Sequence, residues 1–368
     1  MKSAIWYWGR GGAGSRVMMR IADRLSDAYG SAEVALFMHA QSDFLDAARQ
    51  RGHRVFTVGG AAGHRAKMAL LLAAPWRAGQ LLAALLRHRP KVVIIPMNFA
   101  LACPLALLVK ALGGRLVYVV HDAEPHSGDF APTYQRATQR WLVGQAHAVV
   151  AMSQGVAARM RELQPELPAD AIDVVPLHML AREPRRGGRP NPERPLRLLF
   201  MGRLLPYKGL DLLAQALSQL SQRTDWRLTI AGDGPEREQV QRWFGAMPQV
   251  DLTRLRPFEE AEVEELIDSH DIMLCPYRDA SQSGSVAEAL YGAMPSLVTP
   301  SGALAEQIGY GAAGWVTTAA TPDAVASAIA DCLDNADTYA ARSASTAAFA
   351  KAELAFNAWP GILAKATS

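Results

Sequence analysis

Short apolar runs rich in β-branched residues alternate with helical stretches along all 368 residues of the chain. Strands that helices cover on both faces have such continuous apolar sequences, whereas strands with one face in water alternate apolar and polar residues. The pattern therefore predicts the α/β class, with parallel sheets between layers of helices. A chain of this length is too long for a single hydrophobic core, so we expect two domains.

Thirteen strands are predicted, seven in the first half and six in the second. They lie at residues 4–8, 33–37, 54–58, 92–96, 116–120, 148–151 and 172–175, and then at 196–201, 227–231, 250–252, 272–275, 296–298 and 314–316. Each half resembles a doubly wound unit, in which ligands bind beyond the carboxyl ends of the strands. The predicted architecture is two doubly wound, Rossmann-like domains that face each other across a cleft.

Composition sets the predicted domain boundaries. Residues 181–195 contain four Pro and two adjacent Gly, and such a segment continues neither a helix nor a strand. We therefore predict an N-terminal domain at residues 1–180, a linker at 181–195 and a C-terminal domain at 196–352. The last stretch, residues 353–368, has apolar residues at helical spacing and is expected to dock back on the N-terminal domain.

Charge divides unevenly between the halves, although the whole chain carries only +3. Residues 1–184 hold 21 Lys and Arg against 13 Asp and Glu, while residues 185–368 hold 17 against 22. A basic half and an acidic half are expected to have different partners. The basic, apolar stretch at residues 64–91 suits a helix in an anionic lipid surface, although such a stretch is more often a core-facing helix pair with ordinary surface cations.

Several classes of function are disfavoured. The three cysteines are far apart, which suits a reducing compartment and neither a disulfide framework nor a zinc site. No apolar run approaches the ~18 residues that a membrane span needs, and no signal peptide is evident. We therefore expect a cytoplasmic protein, at most peripheral on the inner face of the membrane. A dinucleotide cofactor, a bound metal and a nucleic-acid partner are not expected.

Two loops carry residues suited to an anion. After the strand at 196–201, Arg203 and Lys208 flank a tight turn, and two cations there suit a diphosphate. A solvated loop with two surface cations is about as consistent with the spacing. After the strand at 272–275, the amides of Ser283, Gly284 and Ser285 would open a helix and form an anion-binding N-terminus.

Glu288 follows one turn into that helix. Its carboxylate could accept hydrogen bonds from ribose hydroxyls, although a lone Glu at such a position is more often on a helix surface. The position eight residues earlier is Ala280.

Together these segments resemble the donor half of the retaining glycosyltransferases of family 4, which have the GT-B fold. The matching motifs, in order and spacing, are Gly202-Arg203-Leu204, Tyr207-Lys208-Gly209, the run Ile230 to Pro235 that contains Gly232, Glu288-Ala289 and Gly292 to Pro295. The resemblance implies that the C-terminal domain binds the nucleotide-sugar donor. Arg203 and Lys208 would hold the diphosphate, Glu288 the ribose, and the loop from Arg256 to Phe258 the base.

The first half resembles the acceptor domain of the same family. Its glycine loop, Gly9 to Gly14, follows the first strand, and the resemblance implies that Gly12 and Gly14 approach the donor phosphate and the acceptor. His121, at the end of the strand at 116–120, would contact the donor sugar; by itself such a His is as often a structural hydrogen-bonding residue. Ala280 departs from the family, which often has a sugar-facing Glu there.

The activity that the resemblance implies is a metal-independent hexosyl transfer, with retention, from a UDP- or GDP-sugar to a glycan or lipid-linked acceptor. Such an enzyme would act in cell-surface polysaccharide or glycolipid synthesis, needs no cofactor, and would stabilise the departing diphosphate electrostatically. Two alternatives remain open: a nucleotide-sugar epimerase, and a catalytically weak sugar-nucleotide-binding subunit, which Ala280 motivates.

Overall fold

The computed structural model describes residues 1–58, 79–80, 82–99, 101–125, 131–168, 170–177, 184–355 and 357–368. The chain divides into two compact units. The first comprises Met1–Val175 with Asn357–Ser368, and the second comprises Pro176–Phe356. No helix in the described part of the chain has the length and apolar character needed to cross a bilayer.

The first unit is built on a seven-stranded parallel sheet. Its strands are β1 (Ser3–Trp6), β2 (Val34–His39), β3 (Arg54–Val58), β4 (Val92–Ile95), β5 (Arg115–Val120), β6 (Ala148–Ala151) and β7 (Ile172–Val174). They lie in the order β3-β2-β1-β4-β5-β6-β7. The helices before the last strand include α1 (Gly12–Tyr29), α2 (Leu45–Gln50), α3 (Ala102–Ala111), α4 (Pro132–Gln145) and α5 (Gln154–Leu163), and residues 82–88 are also helical.

The second unit has a six-stranded parallel sheet. Its strands are β8 (Leu196–Met201), β9 (Trp226–Ala231), β10 (Val250–Asp251), β11 (Ile272–Cys275), β12 (Ser296–Val298) and β13 (Gly314–Val316), in the order β10-β9-β8-β11-β12-β13. The helices are α6 (Leu210–Gln219), α7 (Arg237–Phe244), α8 (Glu260–Ser269), α9 (Gly284–Tyr291), α10 (Leu304–Gln307), α11 (Pro322–Asp334) and α12 (Tyr339–Ala355).

The predicted fold class of two doubly wound α/β domains is confirmed. The described strands coincide with the predicted ones, with ends that differ by at most two residues. The central strands, such as β4 and β11, are buried along their whole length, which is why they appear in the sequence as continuous apolar runs. In both sheets the strand order reverses beside the first strand of the unit, at β1/β4 and at β8/β11.

The segment predicted as a linker, residues 181–195, is described from residue 184 onward and belongs to the second unit. The described residues of this segment form no helix or strand, as its Pro and Gly predict, but they are anchored by Arg189, which is buried. The guanidinium of Arg189 donates to the carbonyl oxygens of His270 at 2.6 Å and Asp268 at 2.8 Å. The last carbonyls of a helix lack intrahelical partners, so Arg189 caps the end of α8. The described part of this segment is therefore packed rather than free.

The predicted boundary between residues 352 and 353 lies inside α12, which continues to Ala355. Its last turns consist of good helix formers, and Leu354 is buried, so nothing ends the helix earlier. The final helix, α13 (Trp359–Thr367), starts after Asn357, whose side-chain oxygen accepts from the Trp359 amide at 3.2 Å.

Helix α13 lies in the first unit. Trp359, Ile362 and Leu363 are buried, and the side-chain amide of Asn357 donates to the Arg24 carbonyl at 2.7 Å. Lys365 forms an ion pair with Asp173 at 3.1 Å. Burial of this apolar stripe is what the spacing of the C-terminal residues predicts.

Candidate active site

The two loops predicted to hold a diphosphate start from neighbouring strands. One loop follows β8 and the other follows β11, and these strands pair directly at the point where the strand order reverses. In doubly wound sheets, ligands bind at the carboxyl ends of the two strands that flank such a reversal. The topology therefore brings the predicted donor-binding residues of the second unit to one edge of its sheet.

The loop after β8 turns at Gly209, which has a φ of +68°. A Cβ atom at Gly209 would overlap the carbonyl oxygen of Pro276, so only glycine permits this approach to the β11 loop. The amide of Arg278 donates to the carbonyl of Tyr207 at 2.8 Å. The Arg278 side chain also forms a forked ion pair with Asp211 at the start of α6. These contacts fix the two loops against each other.

A similar contact joins the loops after β8 and β9. Gly232 has a φ of +144°, and a Cβ there would overlap the carbonyl oxygen of Gly202. The amide of Gly202 donates to the Ala231 carbonyl at 3.0 Å. Gly232 thus allows close backbone packing beneath the predicted site.

Lys208 is a buried cation. The residue is only 9% exposed. Its ammonium nitrogen lies 3.8 Å from the ring centroid of Tyr277 and 5.3 Å from that of Tyr207. A cation over an aromatic face is attracted by the ring quadrupole. Within the described residues, Lys208 has no carboxylate partner. Burial lowers the pKa of Lys208 to about 8, with Cys275 opposing and Arg203 adding to the effect.

Arg203 is exposed and lies near enough to Lys208 to influence its pKa. In the described part of the chain it has no ion-pair partner either. The structure therefore brings together the two cations that the sequence singled out, and none of the described acidic residues forms an ion pair with either of them. Such a pair suits a ligand with two adjacent negative groups.

Helix α9 opens beside these cations, but its first residues have distinct roles. Ser283 is the N-cap, and its hydroxyl accepts from the Val286 amide at 3.4 Å. Its own amide donates to Gln307 Oε1 at 2.8 Å, so in this structure the Ser283 amide is engaged within the protein. The Ser285 hydroxyl donates to the Met201 carbonyl at 2.6 Å and ties the helix to β8. The amides of Gly284 and Ser285, which have no intrahelical acceptors, are the groups suited to an anion.

Glu288 is only 8% exposed, which excludes the alternative of a surface carboxylate. It lies on the second turn of α9, near the same edge of the sheet. Ala280 is 2% exposed and belongs to the apolar cluster of the second unit. The position where the family often has a Glu is thus part of the core in this chain.

The predicted base-binding loop carries an ion-pair cluster. The Arg256 guanidinium binds the Glu262 carboxylate through both of its terminal nitrogens, and Arg254 binds the same carboxylate at 3.0 Å. Hydrogen bonds from Arg256 and from the Glu259 backbone lower the pKa of Glu262 to about 2. Phe258 is half-buried against the core. The Arg256 side chain is therefore occupied by Glu262, and the loop offers backbone groups and the Phe258 ring.

In the first unit, the glycine loop folds over Tyr7. A Cβ at Gly14 would overlap the phenol ring of Tyr7, whereas the space around Gly12, with a φ of +75°, is open. Burial raises the pKa of Tyr7. The requirement for glycine at Gly14 thus comes from packing against Tyr7.

His121 follows β5, and its Nε2 donates to the Pro96 carbonyl, 2.8 Å away at the end of β4. Burial lowers the pKa of His121, with Asp122 and the Pro96 carbonyl opposing, so the imidazole is neutral at pH 7. Gln139 of α4 donates to the carbonyls of Asp122 and Ala123 at 2.9 and 3.0 Å and holds this loop in place. His126 and Gly128, which follow in the sequence, lie outside the described residues.

The sequence did not indicate three residues of these arrangements: Tyr277, Gln307 and Gln139. Tyr277 could have been suspected as an aromatic residue in the predicted loop, two residues after the end of β11. The two glutamines act through contacts with residues far away in the sequence, for which local patterns give no signal. Within the described residues, no group of three or more His, Cys, Asp or Glu could hold a metal ion.

Two family models match the chain. One, described as a glycosyl transferase 4-like domain, covers residues 11–178, and the other, described as glycosyl transferases group 1, covers residues 195–335. Each model falls on one of the two doubly wound units. The chain belongs to the glycosyltransferases of family 4, with the GT-B fold, and the predicted family is confirmed.

Individual relatives are more distant. The chain is 29% identical over 257 residues to a GDP-mannose-dependent alpha-(1-6)-phosphatidylinositol monomannoside mannosyltransferase of Mycolicibacterium smegmatis, covering 64% of this chain and 66% of that protein. It is 26% identical over 196 residues to the alpha-D-kanosaminyltransferase of Streptomyces kanamyceticus, covering 47% of this chain and 49% of that one. The matches thus span from about half to about two thirds of the relatives' own lengths.

A solved structure shows the same fold. The crystal structure of Anabaena HepE in complex with UDP and glucose aligns with a TM-score of 0.72 and 17% identity, over 96% of this chain and 95% of that one. This similarity extends over both units.

Lys208→Met is expected to stabilise the ligand-free protein at pH 7 by on the order of 1–3 kcal/mol, because it removes a buried ammonium that lacks an acidic partner. The pKa of Lys208 is about 8 in the folded protein and 10.5 when unperturbed, so the unfolded chain holds this proton more tightly. The loss of folding free energy caused by the buried ammonium of the wild-type lysine is fully present below pH 8 and disappears as the pH rises to 10.5.

Urea unfolding at pH 7, 9 and 10.5 measures this difference. The advantage of Lys208→Met should shrink steadily across the series, and Lys351→Met, at an exposed position of α12, should show no such trend. A Lys208→Met protein less stable than the wild type at pH 7 contradicts the prediction.

Proposed function

We propose that the protein transfers a hexose from a UDP- or GDP-sugar to a glycan or lipid-linked acceptor, with retention of anomeric configuration and without a metal. One observation carries the proposal: Lys208 is buried on the face of Tyr277 beside Arg203, and no described carboxylate neutralises either cation. A diphosphate supplies the missing negative charge. Family membership and the position at the strand-order reversal support the same assignment.

The chemistry follows from these charges. As the bond between the sugar C1 and the diphosphate oxygen breaks, negative charge develops on the diphosphate. Lys208, Arg203 and the Gly284 and Ser285 amides stabilise that charge, and preorganised groups of this kind often supply the largest share of catalysis. The acceptor hydroxyl attacks C1 from the side of the leaving group, and its proton passes to the departing diphosphate. No protein nucleophile takes part, and Glu288 holds the ribose.

The relatives support a nucleotide-sugar donor and leave its base open. The mycobacterial relative is named for GDP-mannose, and the Anabaena structure contains UDP. A role in cell-surface polysaccharide or glycolipid synthesis is in line with the name of the mycobacterial relative, which includes a glycolipid, phosphatidylinositol monomannoside. Thermal unfolding with UDP, GDP and their sugars is the direct test, since a ligand at 100 times its dissociation constant adds about 2.7 kcal/mol.

We also propose that the first unit contacts an anionic membrane surface. Residues 47–121 contain eleven Lys and Arg and no Asp or Glu. Leu85, in the helical residues 82–88, and Leu105 of α3 belong to one apolar cluster, so both helices cover the same face of the sheet. Arg65, Lys67 and Arg77, which belong to the predicted membrane-binding stretch at 64–91, lie outside the described residues.

Those two helices also expose apolar side chains. Leu86 is 49% exposed and Leu107 is 56% exposed, and Arg87, Arg89 and Lys110 are exposed near them in the sequence. Apolar side chains bordered by cations suit the headgroup region of anionic lipids. The proposed acceptor of the enzyme would then be reached from the membrane surface.

Arg203→Ala and Lys208→Ala should each reduce turnover on the order of 10² to 10³-fold, as the loss of one preorganised donor usually does. The fold should be retained, as shown by circular dichroism. Sugar transfer from the donor that gives the largest thermal shift measures the effect, with Lys351→Ala as the control. Turnover within a few-fold of wild type for both variants would remove the diphosphate assignment.

Transfer should continue in EDTA, because the proposed mechanism neutralises the leaving group with Lys208 and Arg203. The initial rate is measured after dialysis against the chelator and again after manganese is added. Loss of activity with EDTA and its return with manganese contradicts the metal-free mechanism.

His121→Ala should lose transfer by about 10²-fold or more while the affinity for the nucleoside diphosphate stays within a factor of two, because the neutral imidazole acts on the sugar. Calorimetry with UDP or GDP and an assay of transfer separate the two effects. His147→Ala is the matched control, since the His147 ring accepts from the Leu116 amide at the opposite end of β5. An equal loss of nucleotide binding in His121→Ala would place His121 at the nucleotide.

The protein should sediment with vesicles that contain anionic lipid, and this binding should weaken as salt rises, because each surface cation contributes about 1 kcal/mol screened over roughly 8 Å. Changing Leu86, Arg87, Arg89 and Leu107 together to Ser should reduce it. Tyr310→Ser, at a residue 78% exposed in the second unit, is the control. Absence of vesicle binding at low salt, with full activity on a water-soluble acceptor, contradicts the proposal.

A further inference from the structure

Gln307 is buried, 3% exposed, and both polar atoms of its side chain form hydrogen bonds to one residue, Ser283. Its Oε1 accepts from the Ser283 amide at 2.8 Å, and its Nε2 donates to the Ser283 carbonyl at 2.7 Å. A carboxamide presents an acceptor oxygen and an N–H donor side by side in one plane, which matches the two backbone groups of a single residue. The side chain thus pairs the amide and the carbonyl of Ser283, as the backbone of a neighbouring β-strand would.

Ser283 passes this constraint to two parts of the proposed diphosphate site. As the N-cap of α9, it sets where the amides of Gly284 and Ser285 lie. Its hydroxyl also lies 3.2 Å from the Tyr277 hydroxyl, in a fully buried hydrogen bond. Ser283 and Tyr277 both belong to the loop that follows β11.

Tyr277 in turn supports Lys208, whose ammonium nitrogen is 3.8 Å from the ring centroid. The ring is 0% exposed, so it cannot reorient without disturbing its surroundings. Three contacts therefore connect Gln307 to the buried cation: the carboxamide to Ser283, the Ser283 hydroxyl to Tyr277, and the Tyr277 ring to Lys208.

We propose that Gln307 is a positioning residue for the diphosphate site: through Ser283 and Tyr277 it fixes the start of α9 relative to the Lys208 ammonium. The inference rests on the proposed function for its ligand, a nucleoside diphosphate, while the arrangement of the residues is independent of it. Gln307 itself contacts neither the ligand nor Lys208. Its effect is on the distance between two groups that must bind one anion together.

Gln307→Leu is the main variant. It leaves the amide and the carbonyl of Ser283 unpaired, so the Ser283–Tyr277 arrangement loosens. The dissociation constant for UDP or GDP should rise at least tenfold, and water should reach Lys208, whose titration midpoint should move from about 8 toward 10.5. Calorimetry gives the first quantity. Carbon-13 NMR of labelled lysine gives the second, in a chain with seven lysines, with the signal identified by its loss in Lys208→Arg.

Gln249→Leu is the matched control. Gln249 is also a buried glutamine, 9% exposed, and its side-chain amide donates to the carbonyls of Ser221 and Arg223 at 3.1 Å. Its replacement should lower the melting temperature while nucleotide affinity and the Lys208 midpoint stay as in the wild type. This comparison separates positioning from a general loss of stability.

Gln307→Glu tests the donor half of the carboxamide and covers the case in which Gln307→Leu does not fold. Ionised Glu accepts from the Ser283 amide but cannot donate to its carbonyl, whereas protonated Glu can do both. The ratio of its dissociation constant to that of the wild type should therefore fall toward one as the pH is lowered. A ratio near one at all pH values overturns the proposal.

Two further results are decisive. If Gln307→Leu binds the nucleotide within twofold of wild type and leaves the Lys208 midpoint unchanged, the proposal is overturned, whatever its melting temperature. If the wild type binds neither UDP nor GDP, the proposed function fails, and the Lys208 midpoint alone decides: a shift in Gln307→Leu supports the positioning role, and an unchanged midpoint rejects it.

Discussion

Backbone contacts too close to admit a side chain hold the loops of the second sheet together, and the candidate site depends on them. At Gly209 the loop after β8 touches the Pro276 carbonyl, and at Gly232 the loop after β9 touches the Gly202 carbonyl. Any Cβ at these positions would push the loops apart, and both backbones have positive φ angles that glycine adopts most easily. The approach places Lys208 under the β11 loop, where Tyr277 covers it.

The charges around the site are mostly paired, which makes the exceptions informative. Arg278 is bound to Asp211, and Arg256 and Arg254 are both bound to Glu262. These pairs fix loops and contribute little net field, because opposite charges at such short distances largely cancel. Lys208 and Arg203 have no such partner among the described residues. Two cations at the carboxyl edge of β8 and β11 therefore lack an ion-pair partner in the described part of the chain, although residues 185–368 are net acidic.

The sequence predicted what depends on local pattern. Buried central strands such as β11 were visible as apolar runs, and the loops with Arg203, Lys208 and Ser283 were found from the Gly and Ser at their turns. What it did not predict depends on contacts between distant residues. The amide of Ser283 is taken by a glutamine 24 residues later, and Arg189 caps a helix that ends 80 residues later, so neither role leaves a local trace. Likewise, a lone Glu such as Glu288 is more often on a helix surface, and the sequence did not show that this one is buried.

Ala280 and the unpaired cation are consistent with one electrostatic arrangement. Position 280 is 2% exposed within the apolar cluster, so a glutamate there would bury a carboxylate among hydrophobic side chains, at a cost of several kcal/mol unless it found a partner. A carboxylate that did find a cation in the β11 loop would compete with a diphosphate for it. With Ala280, the loop that carries Tyr277 and Ser283 is held by neutral hydrogen bonds, and Lys208 has no carboxylate partner among the described residues. Under the proposed function, the departure from the family pattern would therefore affect the contact to the sugar and leave the proposed diphosphate-binding residues unchanged.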